Sequence, residues 1–253
     1  DKAVDRYPFT YGQLTFGYYD DVHSPKERLN AILDEIIVHG KLNDDYIPSL
    51  FPGCKQSTIP SMFGAKEVIV GADHTCEKVI YTKEDVYKLP RPSLKPGTVA
   101  YQWLEMQKFM IEETDGRIPV HVTDMQGPFE VAGQLWGYDN MFVCAYEDPE
   151  TYHYLLSKTT KAFILFWEEQ KKILGKNFVP THLFGWSWVP DDMGGSISAD
   201  SIVMVSPDFF DEFYTPYIEM IGKSLGNLSV HSCGDFSNVM NNLMNILYVK
   251  AIN

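Results

Sequence analysis

Leu228-Ser229-Val230-His231-Ser232-Cys233-Gly234-Asp235 is the stretch whose reading decides the fold. Leu228-Ser229-Val230 is short and apolar, as a buried strand is, and it delivers His231 to the strand's end. Upstream, Ser206-Pro207-Asp208 caps a helix expected to run to about Leu225. Downstream, Asp235 opens a helix carrying Val239, Met240, Leu243 and Met244, and Tyr248 to Ile252 reads as a further strand. Short apolar strands alternating with capped helices imply a parallel sheet with helices outside it. A barrel and an open doubly wound sheet both satisfy that pattern.

The same alternation extends towards the N-terminus. Ser24-Pro25-Lys26-Glu27 is a capping box, with Leu29, Ile32, Leu33, Ile36 and Ile37 at helical spacing and Gly40 closing the run. Tyr46 to Leu50 reads as a strand, Asp44 and Asp45 before it as a turn, and Phe51-Pro52-Gly53-Cys54 as a loop. Residues 66 to 97 break the pattern. Val68-Ile69-Val70 and Lys78-Val79-Ile80-Tyr81 predict a β-hairpin-like insertion, and the Pro-rich 90–97 a linker. A helix is expected from Val99 to Glu113, a strand over Ile118–Val122, a helix over Val131–Leu135, and a long helix from Asp148 to about Ile173. His182 to Trp186 reads as a strand ending in Asp191-Asp192-Met193-Gly194-Gly195, and Ile202 to Val205 is brief and apolar. No GxGxxG or GxxxxGK[ST] follows a strand, which argues against dinucleotide and P-loop readings.

The chain has 253 residues, enough for one domain of barrel size. A net charge of -13 disfavours nucleic acid and anionic membranes as partners. No apolar run reaches the roughly 18 residues a bilayer span needs. Asp1 to Arg6 does not read as a signal peptide. The four cysteines, Cys54, Cys76, Cys144 and Cys233, are scattered without a CxxC pair, which reads as a reducing, cytoplasmic setting rather than a disulfide framework.

His231 and Cys233 lie two apart and so share one face of an extended strand. Imidazole and thiolate on one face form half of a tetrahedral zinc site. The spacing equally fits a His and a Cys at a strand end with no metal. Asp124 with Gln126, and Asp191 with Asp192, also follow expected strands. On a barrel the loops after strands build the active face, so these acids are candidate catalytic groups or cation ligands. Helix capping and solvation are their plainer reading. Gln126, Gly127 and Trp186 are candidates for lining a cofactor pocket, with Trp188 and Phe184 beside Trp186; aromatic residues at that density also fit a core. Asp235 fits either a residue holding a ligand in place or a helix cap. His153 and His182 read as structural.

These motifs together resemble the uroporphyrinogen decarboxylase superfamily, and within it the corrinoid-dependent methyltransferases. The resemblance runs from about Asp5 to Asn253. It is carried by Asp5-Arg6-Tyr7-Pro8, Ile59-Pro60-Ser61-Met62-Phe63-Gly64, Asp124-Met125-Gln126-Gly127-Pro128-Phe129, Glu147-Asp148-Pro149-Glu150, Asp191-Asp192-Met193-Gly194-Gly195, Ser206-Pro207-Asp208-Phe209-Phe210 through Pro216-Tyr217, and His231-Ser232-Cys233-Gly234-Asp235. It implies a single (β/α)8 TIM-type barrel over 1–253, with 66–97 as an insertion or linker. Only five or six strands are countable, so the last strands are expected to be missing at the C-terminus. The decarboxylases of the family use no metal and an arginine-rich N-terminal segment. Here Arg6 and Arg28 are the only early arginines, and Gln134 stands where those enzymes carry a tyrosine. The methyltransferase branch holds zinc with a His-x-Cys pair, matched by His231 and Cys233, and a later Cys that would lie beyond Asn253. The implied activity is methyl transfer between methylcobalamin on a partner corrinoid protein and a small thiol acceptor or methylated donor. The competing expectations are a metal-free carboxy-lyase of the same fold and a non-catalytic barrel fragment or binding subunit.

Overall fold

A computed structural model describes residues 9, 24–70, 73–180, 189 and 192–252. Helix α1 (Pro25–His39) begins on the expected capping box: the Ser24 side chain accepts from Glu27 N–H, and the Glu27 carboxylate returns the bond to Ser24 N–H at 2.7 Å. A short α2 (Thr58–Ser61) precedes a hairpin of β1 (Glu67–Val70) and β2 (Asp73–Cys76). The hairpin was expected, but its second arm lies at 73–76 rather than 78–81. Val79 and Ile80 instead turn inward, both N–H groups donating to the Leu135 carbonyl. The segment expected as linker also holds α3 (Lys83–Lys88), started by a capping box at Thr82 and Asp85.

Helix α4 (Val99–Glu113) has the expected bounds, with Thr98 accepting from Tyr101 N–H. Then follow β3 (Val120–His121), α5 (Pro128–Trp136), α6 (Tyr138–Glu147), α7 (Pro149–Leu174) and β4 (Phe178–Val179). Helix α7 runs 26 residues because Asp148 caps it and Pro149 starts it. Its buried side includes Leu155, Leu156, Phe163, Phe166 and Trp167, and it packs on α4, α5 and α6.

The C-terminal part carries β5 (Met193–Ser198), α8 (Pro207–Phe213), α9 (Thr215–Leu225), β6 (Asn227–His231), α10 (Met240–Asn245) and β7 (Val249–Ile252). The single helix expected over 206–225 is two, parted at Tyr214, because Pro216 has no N–H to carry the ladder across. Within the segment expected as a loop after a strand, Met193 to Gly195 form the start of β5. Two glycines there look like turn formers but serve close packing. A Cβ on Gly194 would meet the Leu225 carbonyl oxygen at 1.6 Å, so only glycine lets the end of α9 lie on this strand. The apolar Ile202–Val205 falls mostly in a 3-10 turn, Asp200–Met204.

Apart from the hairpin, every described pairing is parallel: β3 with β4, β5 with β6, and β6 with β7. Bridges at Leu50–Val120 and Cys54–Asp124 lay the 46–54 segment beside β3, and a Gln126–Ser198 bridge ties the residues after β3 to the end of β5. Helices cover the outer side, as an α/β barrel arc requires. Among the described residues the ladders do not close into a ring. No helix among them is long and apolar enough to cross a membrane.

Candidate metal centre

Strand β6 carries His231 at its last position, and the chain turns at Ser232 so that Cys233 folds back beside it. His231 Nε2 lies 3.3 Å from Cys233 Sγ. Adjacent strand β5 ends at Ser198, paired with His231, and two residues on it places Asp200 in the same mouth. Asp200 Oδ1 accepts the Cys233 N–H at 2.7 Å and stands 4.0 Å from His231 Nε2. One donor atom from each of Asp200, His231 and Cys233 therefore lies within 4.8 Å of the others. Asp200 and His231 are half-buried and Cys233 is exposed, so the cluster faces an opening.

Asp124 follows β3 at the same strand-end face. Its N–H donates to Gly53 O at 3.1 Å, and the N–H of Thr123 before it is held at 2.7 Å by Gln170 of α7. Asp124 Oδ1 is shielded from solvent. Burial, and then the charge of Asp200, push the Asp124 carboxyl up to about 7. Partial burial and the Asp200 charge likewise raise the Cys233 thiol above its ordinary value. A site that crowds carboxylate and thiolate in this way is relieved by a cation.

The expected site residues separate into four groups. His231, Cys233, Asp124 and Gln126 stand at the strand-end face, Gln126 through its bridge to Ser198. Gly127 is a seam rather than a lining: its N–H donates to Ser198 O at 2.9 Å, and a Cβ there would sit 2.1 Å from that oxygen. Asp192 does not join the site. It precedes β5 at the opposite, strand-start end, where it is exposed and accepts from Asn227 Nδ2 at 3.3 Å. β5 begins at Met193, directly after Asp192, whereas the strand expected over 182–186 lies outside the described residues. Asp191 and Trp186 lie outside the described residues, as do Trp188, Phe184, His182 and Asp5 to Pro8. Asp235 accepts from Ser237 N–H at 2.9 Å, a local turn ahead of the 3-10 segment Ser237–Val239. His153 is structural, 2.9 Å from the Tyr217 hydroxyl.

Two residues escaped the sequence reading. Asp200 was legible in principle: Ser196, Ser198 and Asp200 alternate, the period of a strand running into its loop. Glu130 gave no signal, being one acid among nonpolar residues at the start of α5.

Residues 57–173 match the uroporphyrinogen decarboxylase (URO-D) family model. Among solved structures, a methyltransferase from Methanosarcina mazei superposes with a TM-score of 0.66 over 88% of this chain, at 16% identity. The chain spans 60% of that protein's length. No curated protein matches it in sequence. The superposition gives the chain a TIM-barrel-like α/β fold. The matched segment, from α2 through most of α7, carries the pattern of the uroporphyrinogen decarboxylase family.

Proposed function

We propose that this chain is the metal-binding, catalytic part of a methyltransferase. Zinc would be held by Asp200, His231 and Cys233, and a methyl group would pass between a corrinoid (methylcobalamin) on a partner protein and a small thiol or methylated substrate. The observation that carries this reading is the convergence of an imidazole nitrogen, a thiol sulfur and a carboxylate oxygen within 4.8 Å at the ends of neighbouring strands.

The donor set fits zinc. Ligand lengths of about 2.0–2.3 Å around a tetrahedron put neighbouring donors roughly 3.3–3.7 Å apart. The 3.3 Å between His231 Nε2 and Cys233 Sγ matches, and the 4.0 Å to Asp200 Oδ1 needs only a small side-chain rotation. Three protein donors leave one position open, as catalytic zinc sites do. Zinc bound there supplies a Lewis acid that holds an incoming thiol as thiolate at neutral pH. Asp124, titrating near 7 at the same face, is suited to take the proton that the thiol releases at its carboxylate oxygen. A backbone bridge joins Gln126, two residues past Asp124, to Ser198, two residues before Asp200. The net charge of -13 supports a small-molecule and protein partnership rather than nucleic acid or an anionic membrane, in keeping with a cytoplasmic enzyme.

Metal analysis of the full-length protein tests this reading. About one zinc per chain is expected, lost in Cys233→Ser and reduced in Asp200→Asn. Methyl transfer from methylcobalamin to a panel of thiols should follow the same order. A full-length protein that purifies and reconstitutes without zinc would sink the reading and favour the metal-free carboxy-lyase.

A further inference from the structure

Glu130 lies in the first turn of α5 and is 1% exposed. An ionisable side chain at that depth is destabilising unless its bonds are made there. One of its oxygens is used twice. Glu130 Oε1 accepts the Ser201 N–H at 2.9 Å and the Ser201 hydroxyl at 2.6 Å. The Ser201 Oγ also lies 2.8 Å from the Tyr214 hydroxyl, which leaves Ser201 little freedom. Ser201 directly follows Asp200 in the 3-10 turn Asp200–Met204. The first N–H groups of such a turn have no partner within it, and a carboxyl oxygen is a good one. Glu130 provides this cap from a different element.

A second tie flanks the first. Gly127, three residues before Glu130, donates its N–H to Ser198 O at 2.9 Å. Residues 198 and 201 are thus both fastened to the start of α5, with Asp200 between them. The other oxygen, Glu130 Oε2, is buried with no hydrogen-bond partner among the described residues. Such an orphan oxygen lowers stability. A core position that loses stability to keep a glutamate points to a role other than packing.

We propose that Glu130 is a positioning residue for the metal centre: by clamping Ser201 it holds the Asp200 carboxylate where it completes the His231–Cys233 pair as a third donor. The inference rests on the zinc reading above. The clamp also joins the two arms of the site, since α5 begins just after Asp124 and Gln126. Rotation at Ser201 would carry Asp200 away from Cys233 N–H, its 2.7 Å partner, and out of reach of His231.

Cobalt(II) and zinc binding to the full-length protein distinguish this role from packing. Glu130→Leu fills the same space without the clamp. It is expected to bind zinc about 10- to 100-fold more weakly, as outer-sphere changes do. Its cobalt(II) spectrum should lose tetrahedral intensity, while the metal-free protein stays folded, the stability lost at the unpaired Ser201 N–H offset by removal of the buried carboxyl. Glu130→Gln keeps an acceptor at Oε1 and should stay within about 3-fold of wild type. Where Glu130→Leu does not fold, Ser201→Ala carries the test, with an expected loss of about 3- to 10-fold from the missing hydroxyl bond. A folded Glu130→Leu, or in its place Ser201→Ala, that binds cobalt and zinc as tightly as wild type overturns the inference and leaves the zinc reading standing. A wild-type protein that binds neither metal overturns the zinc reading itself.

Discussion

Among the described residues, two histidines stand beside carboxylates, and their surroundings are opposite. His39, at the end of α1, is 3% exposed. Its Nδ1 is 2.9 Å from Asp44 Oδ2, its Nε2 faces Glu35 Oε1 at 3.7 Å, and its ring stacks on Tyr46 at 3.9 Å. The carboxylates sit on different sides of the ring, so no single point sees all the donors. His231 is half-buried, and its Nε2, the Cys233 sulfur and the Asp200 oxygen point to one place. Metal binding needs convergent lone pairs, whereas His39 is held on one side by its Nδ1 bond and by stacking. Position in the sheet agrees. The His39 cluster lies ahead of the 46–54 segment, at the strand-start end, where a barrel stores stability, and His231 lies at the strand end, where it does chemistry.

The sharpest way to break this comparison is to remove each ring in turn. His231→Ala deletes one of three donors and should weaken zinc binding by roughly 1,000-fold, beyond the 10–100-fold typical of outer-sphere changes. The melting temperature of the metal-free protein should fall less than in His39→Ala, because His231 stands at the strand-end opening and removing it leaves no buried pair of carboxylates facing each other. His39→Ala should do the reverse. It leaves Glu35 and Asp44 facing each other in a buried space and is expected to cost about 3 kcal/mol of stability, read by urea titration, with zinc content unchanged. Zinc loss in His39→Ala without unfolding would erase the distinction between the two clusters.

A smaller effect separates the two ends by pH. Burial pushes the Glu130 carboxyl up to about 7, against an ordinary 4.5. Below about pH 4.5 the carboxyl is protonated whether folded or unfolded, and stability is indifferent to it. Between about 4.5 and 7 the unfolded chain releases a proton that the native chain keeps, so stability falls as pH rises, by up to about 3 kcal/mol in total. Above 7 the loss levels off. Metal-free Glu130→Gln should therefore lose part of the decline between pH 4.5 and 7, leaving the share that Asp124 contributes by the same mechanism. A variant whose stability falls as steeply as wild type would place the titrating group elsewhere.

The comparison also explains what was legible in the sequence. α1, α4 and α7 could be read because capping boxes, Pro at the first turn and apolar spacing are local signals. His231 and Cys233 could be read because their two-residue spacing at a strand end is a local signal, although it is the bend after His231, and not the strand itself, that brings the two together. β5 could not. Its Gly194-Gly195 looks like a turn, and only the Leu225 carbonyl, 31 positions on, makes glycine necessary there. Reading 191–195 as a loop after a strand hides β5, so Asp192 looks like a site candidate and Asp200, just past the end of β5, is passed over. Glu130 was hidden for a related reason: its partner Ser201 lies 71 residues away. Local pattern reveals elements, whereas a site assembled across strands depends on which end of each strand a residue occupies.

Asp192 therefore gives the smallest expected effect and a direct check on strand polarity. Its carboxylate is exposed and accepts one bond from Asn227, at the start of β6. Asp192→Asn keeps an acceptor in place, and exposed pairs of this kind contribute less than about 1 kcal/mol. Stability should change by no more than about 0.5 kcal/mol, and zinc content and methyl transfer should stay at wild-type levels. Asp200→Asn is the matched control, the same chemical change at the other end of the same strand, and should lower both. Equal losses in the two variants would mean that both acids face one opening, and the polarity of β5 that separates the metal centre from the strand starts would be wrong.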